Sequence, residues 1–294
     1  MNMAAEGATI FSDVVCELGE GPAYDPATGK LFWFDIVGKK LLEKKFPDGP
    51  TIVHDLPVMG SAIATIDAER QLLVAEDGLY VRDIKTGRLT LHTALEADNP
   101  LNRSNDARVH PSGSFWIGTM AKDEGSPAGA IYWFSRGEIR RLYDKITVPN
   151  SICFSPGGAT AYFTGKRPNI IHRVDCDPST GFPIGEPNVF VDSKDADGWV
   201  DGSVVDADGA LWNARWGGAR VDAYSPAGQL VRSIPVPAQQ SSCPAFVGPD
   251  ASRIAVTSAW KGKDAAARAI DPEAGKTFLL DIEVRGRFEP NVQI

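Results

Sequence analysis

Short apolar runs recur along the chain, each broken by a turn and followed at once by a second apolar run. The pattern reads AYDPATGKLFWFDI from Ala23, ATIDAERQLLVAED from Ala64 and RVHPSGSFWIGTM from Arg108. It returns as CFSPGGATAYFTG from Cys153, VVDADGALWNARW from Val204 and FVGPDASRIAVTS from Phe246. Val, Ile, Phe, Trp and Tyr are frequent in the runs, while Asp, Pro, Gly and Ser mark the breaks, as in β-hairpins. No long stretch repeats at helical spacing. The last residues before the turns are Asp25, Asp67, His110, Ser155, Asp206 and Gly248, spaced 42, 43, 45, 51 and 42 residues apart. Six hairpin-led units at this spacing predict an all-β fold, a six-bladed β-propeller with four strands per blade. The sixth unit has its hairpin and one further strand near 276–282. The N-terminal segment 9–15 (TIFSDVV) is expected to supply its missing outer strand and to close the ring, leaving no long free edge. With no linker and no shift in composition, residues 1–294 read as a single domain.

Composition narrows the partners. The chain has 294 residues, 43% of them hydrophobic, enough for a large β core. A net charge of −8 argues against nucleic acid or an anionic membrane as the main partner, since both require a basic surface. No run approaches the ~18 apolar residues of a membrane span. The N-terminus lacks the charged and apolar regions of a signal peptide, so a cytoplasmic location is expected. Four scattered cysteines, Cys16, Cys153, Cys176 and Cys243, suggest neither a disulfide framework nor a zinc pair. The segments from Asp195 and Asp206 (DADG in both) begin like a calcium-binding EF-hand loop. Neither has Glu at the twelfth position or flanking amphipathic helices, and the second falls on the hairpin turn of its repeat, so neither reads as a calcium loop.

In a propeller the first strand of each blade lines a central channel, so equivalent positions on those strands form a ring. Five residues before each turn stand Glu20, Ala62, Asn105, Asn150, Asp201 and Cys243. Asp and Asn are depleted in strands, and polar groups converging on a channel need partners. Any one of them alone is most simply a turn former or a ligand of channel water. Four at one register form a hard-oxygen cluster suited to Ca²⁺, Mg²⁺ or Mn²⁺. None of the four histidines lies in the ring, which disfavours a His-rich zinc site. Their absence, with the lack of any GxSxG elbow, also disfavours a Ser-His-Asp hydrolase.

The segments LGEGPAYDPATGKLFWFDI, RSNDARVHPSGSFWIGTM, VPNSICFSPGG and VDGSVVDADGALWNARWGGARV occur in order over about residues 16–262. In these the chain resembles the senescence marker protein-30/gluconolactonase family, which includes regucalcin, and most of all its bacterial sugar-lactonase branch of xylonolactonase type. The resemblance implies one divalent cation in the channel, held by Glu20, Asn150 and Asp201. The oxygen donors admit Ca²⁺, Mg²⁺, Mn²⁺, Zn²⁺ or Fe²⁺. It further implies substrate contacts from Arg103, Asn105 and Asp123, the last at a position often occupied by Glu. With the ring, it points to a sugar-acid lactone opened to an aldonic or aldaric acid, with Asp201 as the catalytic base towards water. The rival readings are a non-catalytic calcium-binding or partner-binding propeller, and an aryl-ester or phosphotriester hydrolase. Two departures bear on specificity. The fourth repeat reads Phe163-Thr164-Gly165-Lys166-Arg167 where the family often has Asp after Thr, which fits either a carboxylate-bearing substrate or a solvated basic loop. Val200 replaces the family's frequent Pro before the metal-binding Asp. Trp199, Trp212 and Trp216 are candidates for pocket walls or for core.

Overall fold

Each predicted hairpin extends into a run of four antiparallel strands, in a computed structural model that describes residues 7–165 and 169–294. The first sheet runs through Gly19–Asp25, Lys30–Asp35, Lys40–Lys45 and Thr51–Asp55, in that order. Three more four-stranded sheets follow over 60–94, 102–146 and 153–192. The remaining eight strands are recorded as one sheet made of two runs. One run is Trp199–Val205, Leu211–Trp216, Arg220–Tyr224 and Leu230–Pro235. The other is Gln240–Val247, Arg253–Ala259, Thr277–Leu280 and Ala8–Ser12, with the N-terminal strand antiparallel to Thr277–Leu280. The two runs meet at Trp216 and Gln240. Sheets of four strands are consistent with a propeller.

Burial follows strand position. Every residue of Asn102–Val109, the first strand of its sheet, is buried, whereas Thr51–Asp55, a fourth strand, is half-buried or exposed throughout. The core consists of apolar clusters lodged between consecutive sheets. Phe34 meets Leu73 between the first two, and Phe115 joins Leu72 between the second and third. Between the third and fourth, Trp116 packs edge-on to Phe154 with ring centroids 5.5 Å apart. Trp33, Val247 and Ala255 fill the space between the last run and the first. Each such side chain contributes roughly 1.5–3 kcal/mol by leaving water. All four cysteines are free and buried. No helix among the described residues is long and apolar enough to cross a membrane.

The two DADG segments are turns. Asp206 Oδ1 accepts from the backbone N–H groups of Asp208 and Ala210, and its Oδ2 from the Trp212 indole at 2.8 Å. Beyond Leu280 the chain forms no strand and crosses the turn ends of the inner strands. There Val292 N–H donates to the Thr65 carbonyl, and Glu289 meets the buried Arg108 at 2.5 Å. The far ends of the same inner strands are left to build a cavity.

Candidate functional site

Inner strands with regular alternation would turn half their side chains away from the axis. Five of the six depart from it. Register shifts fall between Glu20 and Ala23, Gly60 and Ala62, Ser104 and Ala107, Val200 and Ser203, and Ser241 and Pro244. A bulge adds a residue on one strand and re-aims its side chains. Glu20, Ala62, Asn105, Asp201 and Cys243 all sit at or within these bulges. Asn150 lies just before the two-residue strand Cys153–Phe154, where its N–H donates to Thr164 Oγ1 at 2.8 Å.

Glu20, Arg103, Asn105, Asn150 and Asp201 line one cavity of about 330 Å³. Met120, Val148, Trp199 and Trp216 supply apolar wall, while Trp212 belongs to the core behind it. Asp123 is not in the lining. Its carboxylate is spent on its own turn, accepting from Gly125 N–H at 3.0 Å, Ser126 N–H at 2.9 Å and Ser126 Oγ at 2.6 Å. The next residue, Glu124, takes a left-handed backbone (φ 61°) and lines the cavity instead. It accepts from Arg103 Nη2 at 3.4 Å and pairs with Lys261, a second cation in the lining. Gly165 also lines the cavity, whereas Lys166 and Arg167 lie outside the described residues. Cys243 is buried beneath, with its Sγ 3.5 Å from Arg108 Nη2.

Three carboxyl groups are buried together. Burial, reinforced by the neighbouring Asp106, pushes the Glu20 carboxyl up to about 8. Burial and then Glu20 raise Asp201 well above the ordinary range. Asp106, whose Oδ2 accepts from Ile152 N–H at 2.7 Å, is pushed up to about 6 by burial. Arg103 is brought down to about 10 by burial, against the pull of Glu20 and Asp201. Arg103 and Arg108 both draw the Glu20 carboxyl down, yet burial and Asp106 outweigh them.

That imbalance is what a divalent cation would correct. Glu20 and Asp201 offer carboxylate oxygens, and Asn150 Oδ1 accepts one hydrogen bond, from Asn105, which leaves a second lone pair. An all-oxygen donor set of this kind fits a hard cation. Among the described residues no group of three His, Cys, Asp or Glu side chains is placed to hold a metal, so the set reaches three only through the Asn150 amide.

Comparison with known proteins gives a consistent result. Residues 18–260 match the SMP-30/Gluconolactonase/LRE-like region. A protein of Rhizobium meliloti (strain 1021) named "Putative sugar lactone lactonase" is 53% identical, with 97% of this chain and 96% of that protein covered. The L-arabinolactonase of Azospirillum brasilense is 36% identical over 95% of this chain and 93% of its own length. A solved structure of a calcium-binding protein, regucalcin, from Agrobacterium tumefaciens superposes with a TM-score of 0.96 at 47% identity, covering 99% of this chain and all of that one. With oxygen donors gathered on one cavity and a family match over most of its length, the chain belongs to the SMP-30/gluconolactonase/LRE-like family.

Proposed function

We propose that the protein is a metal-dependent sugar lactonase, built as a single six-bladed propeller whose ring is closed by the strand Ala8–Ser12. The observation that carries the reading is the convergence of Glu20, Asn150, Asp201 and Arg103 on one cavity, in a chain more than half identical to a protein named for sugar lactone hydrolysis. The apolar clusters between every consecutive pair of four-strand runs, last and first included, support the closed ring.

When bound by Glu20, Asn150 and Asp201, the cation supplies Lewis acidity towards the lactone carbonyl. The residues of the chain do the rest. Asp201 accepts a proton as water adds to the carbonyl carbon, and returns it to the ring oxygen as the C–O bond breaks. The product is an open-chain hydroxy acid. Arg103 spends three of its five N–H donors on the protein, towards Ser104 O, Asn105 Oδ1 and Glu124, and has two left for substrate oxygens. Trp199 and Trp216 give the sugar ring an apolar wall and help to exclude bulk water.

The test is a panel of five- and six-carbon aldono- and aldarolactones, given to metal-stripped protein with single cations restored. Acid release is expected for at least one lactone, and only with a cation present. If no lactone is opened under any cation although a cation binds, the protein is a non-catalytic binding propeller instead. The cavity lining also separates two adjacent acids. Replacing Glu124 by Ala is expected to raise KM roughly three- to tenfold with little change in kcat, as loss of uniform substrate binding does. Asp123→Asn keeps the turn and is expected to leave both constants within about twofold. Steady-state kinetics on the best lactone decide between them.

A further inference from the structure

The side chains behind the donor set form a chain of hydrogen bonds that can run in one direction only. Arg103 Nη1 donates to Asn105 Oδ1 at 2.8 Å. Asn105 Nδ2 donates to the Pro149 carbonyl at 3.0 Å and to Asn150 Oδ1 at 2.7 Å. Asn150 Nδ2 in turn faces the Val200 carbonyl at 3.3 Å. A guanidinium has no acceptor and a carbonyl has no hydrogen, so both ends of the chain are fixed by chemistry. Asn105 must turn its oxygen towards Arg103, and its two hydrogens then point towards Pro149 and Asn150. An amide nitrogen accepts nothing, so Asn150 must answer with its oxygen and send its own N–H towards Val200. Reversing either amide would set oxygen against oxygen and hydrogen against hydrogen in a buried setting, where unmade hydrogen bonds are costly.

We propose that Asn105 is a positioning residue of the metal site, using the fixed donors of Arg103 to lock the Asn150 amide with its oxygen towards the cation and its nitrogen towards the strand that carries Asp201. The inference rests on the metal-site reading above and assigns Asn105 a duty beyond substrate contact. With both hydrogens committed, and one lone pair held by Arg103, Asn105 has a single acceptor position left for a sugar hydroxyl. The chain also links three sheets. Arg103 and Asn105 belong to the third, Asn150 precedes the first strand of the fourth, and Val200 is the neighbour of Asp201 in the fifth run. Val200 is itself held, its N–H donating to Asn169 Oδ1 at 2.7 Å. Two of the three cation ligands are thereby set in relation to each other before any cation arrives.

Hydrogen-bond partners behind metal ligands typically account for roughly 10–100-fold in affinity. The experiment is a calorimetric titration of the metal-stripped full chain with Mn²⁺, and separately with Ca²⁺, in the absence of any lactone. A role confined to substrate contact cannot move this readout. Asn105→Leu, which keeps the bulk and removes the amide, is expected to weaken cation binding by roughly 10–100-fold. Asn105→Ala is expected to weaken it to a similar extent, because Asn150 Oδ1 then loses its donor. Arg103→Lys also donates and cannot accept, so it is expected to stay within about threefold of the unaltered protein. Circular dichroism of the metal-free variants checks the fold, and Asn105→Ala carries the test if Asn105→Leu does not fold. Affinities within about twofold of the unaltered protein for both Asn105→Leu and Asn105→Ala would overturn the inference. An unaltered protein that binds neither cation would sink the metal-site reading beneath it.

Discussion

Asp201→Asn is expected to lower kcat by roughly 10²–10⁴-fold, the usual worth of a positioned general base. The substitution keeps an oxygen for the cation and nearly the same volume, and it removes the carboxylate charge together with the ability to take a proton. Assays at saturating cation separate this loss from weaker metal binding. Stability is expected to move the other way. Asp201 is buried, and Glu20 beside it raises its carboxyl further, so in the metal-free chain the two acids oppose each other. A neutral amide relieves that opposition, and the metal-free variant is expected to melt no lower than the unaltered protein at pH 8. Activity lost while stability is held or gained is the mark of a group kept for chemistry at a structural cost. If the variant retains turnover within about threefold, Asp201 is not the base. If activity and melting temperature fall together, its role is structural.

The legibility of this site in the sequence depended on what a period can carry. The hairpin repeat fixed a register, and a constant offset from each turn reached Glu20, Asn105, Asn150 and Asp201, all of which line one cavity. Arg103 came from the family resemblance, and it stands two residues from Asn105 on the same strand. Asp106 was missed for the same reason that the others were found. Alternation sends it to the opposite face from Asn105, yet the bulge between Ser104 and Ala107 brings both into the buried site. Nothing in RSND announces that bulge, which depends on how neighbouring strands crowd an axis.

That Glu124 and not Asp123 lines the cavity had a readable signal. Asp followed two residues later by Gly and then Ser is a turn former, and an acid that closes its own turn has most of its acceptor positions taken. Family correspondence selected the position, but the turn chemistry selected its neighbour. Lys261 was out of reach for another reason: it sits beyond the sixth hairpin, on no shared register, and meets Glu124 across 137 positions of chain. Trp212 illustrates the converse. It shares a segment with Trp216, but strand alternation sends it to the core and its indole to Asp206.

Removing the cation is expected to abolish turnover and to reverse the way stability depends on pH. An unfolded glutamate titrates at about 4.3, whereas burial holds folded, metal-free Glu20 near about 8. Between those values the unfolded chain has released a proton that the folded chain retains. The contribution of Glu20 to the stability of the metal-free protein is therefore greatest below the lower value, falls as pH rises through the window, and levels off above the upper one. The slope is at most about 1.4 kcal/mol per pH unit for each such group, and Asp201 and Asp106 act in the same direction. A cation binds the deprotonated ligands, so its contribution grows over the same window. At a cation concentration near 100 times Kd it contributes about 2.7 kcal/mol, or roughly 4 °C in melting temperature for a chain of this size. Scanning calorimetry at pH 5, 6, 7 and 8, with chelator and then with Ca²⁺ or Mn²⁺, reads both trends. The chelated protein is expected to melt lower at each step upward, and the gap opened by the cation is expected to widen. A chelated protein that gains stability towards pH 8, with no gap on adding a cation, would mean that the buried acids are satisfied by the protein alone. In that case Glu20, Asn150 and Asp201 would be a structural hydrogen-bonding cluster, and lactone opening would have to proceed from Asp201 and Arg103 without a metal.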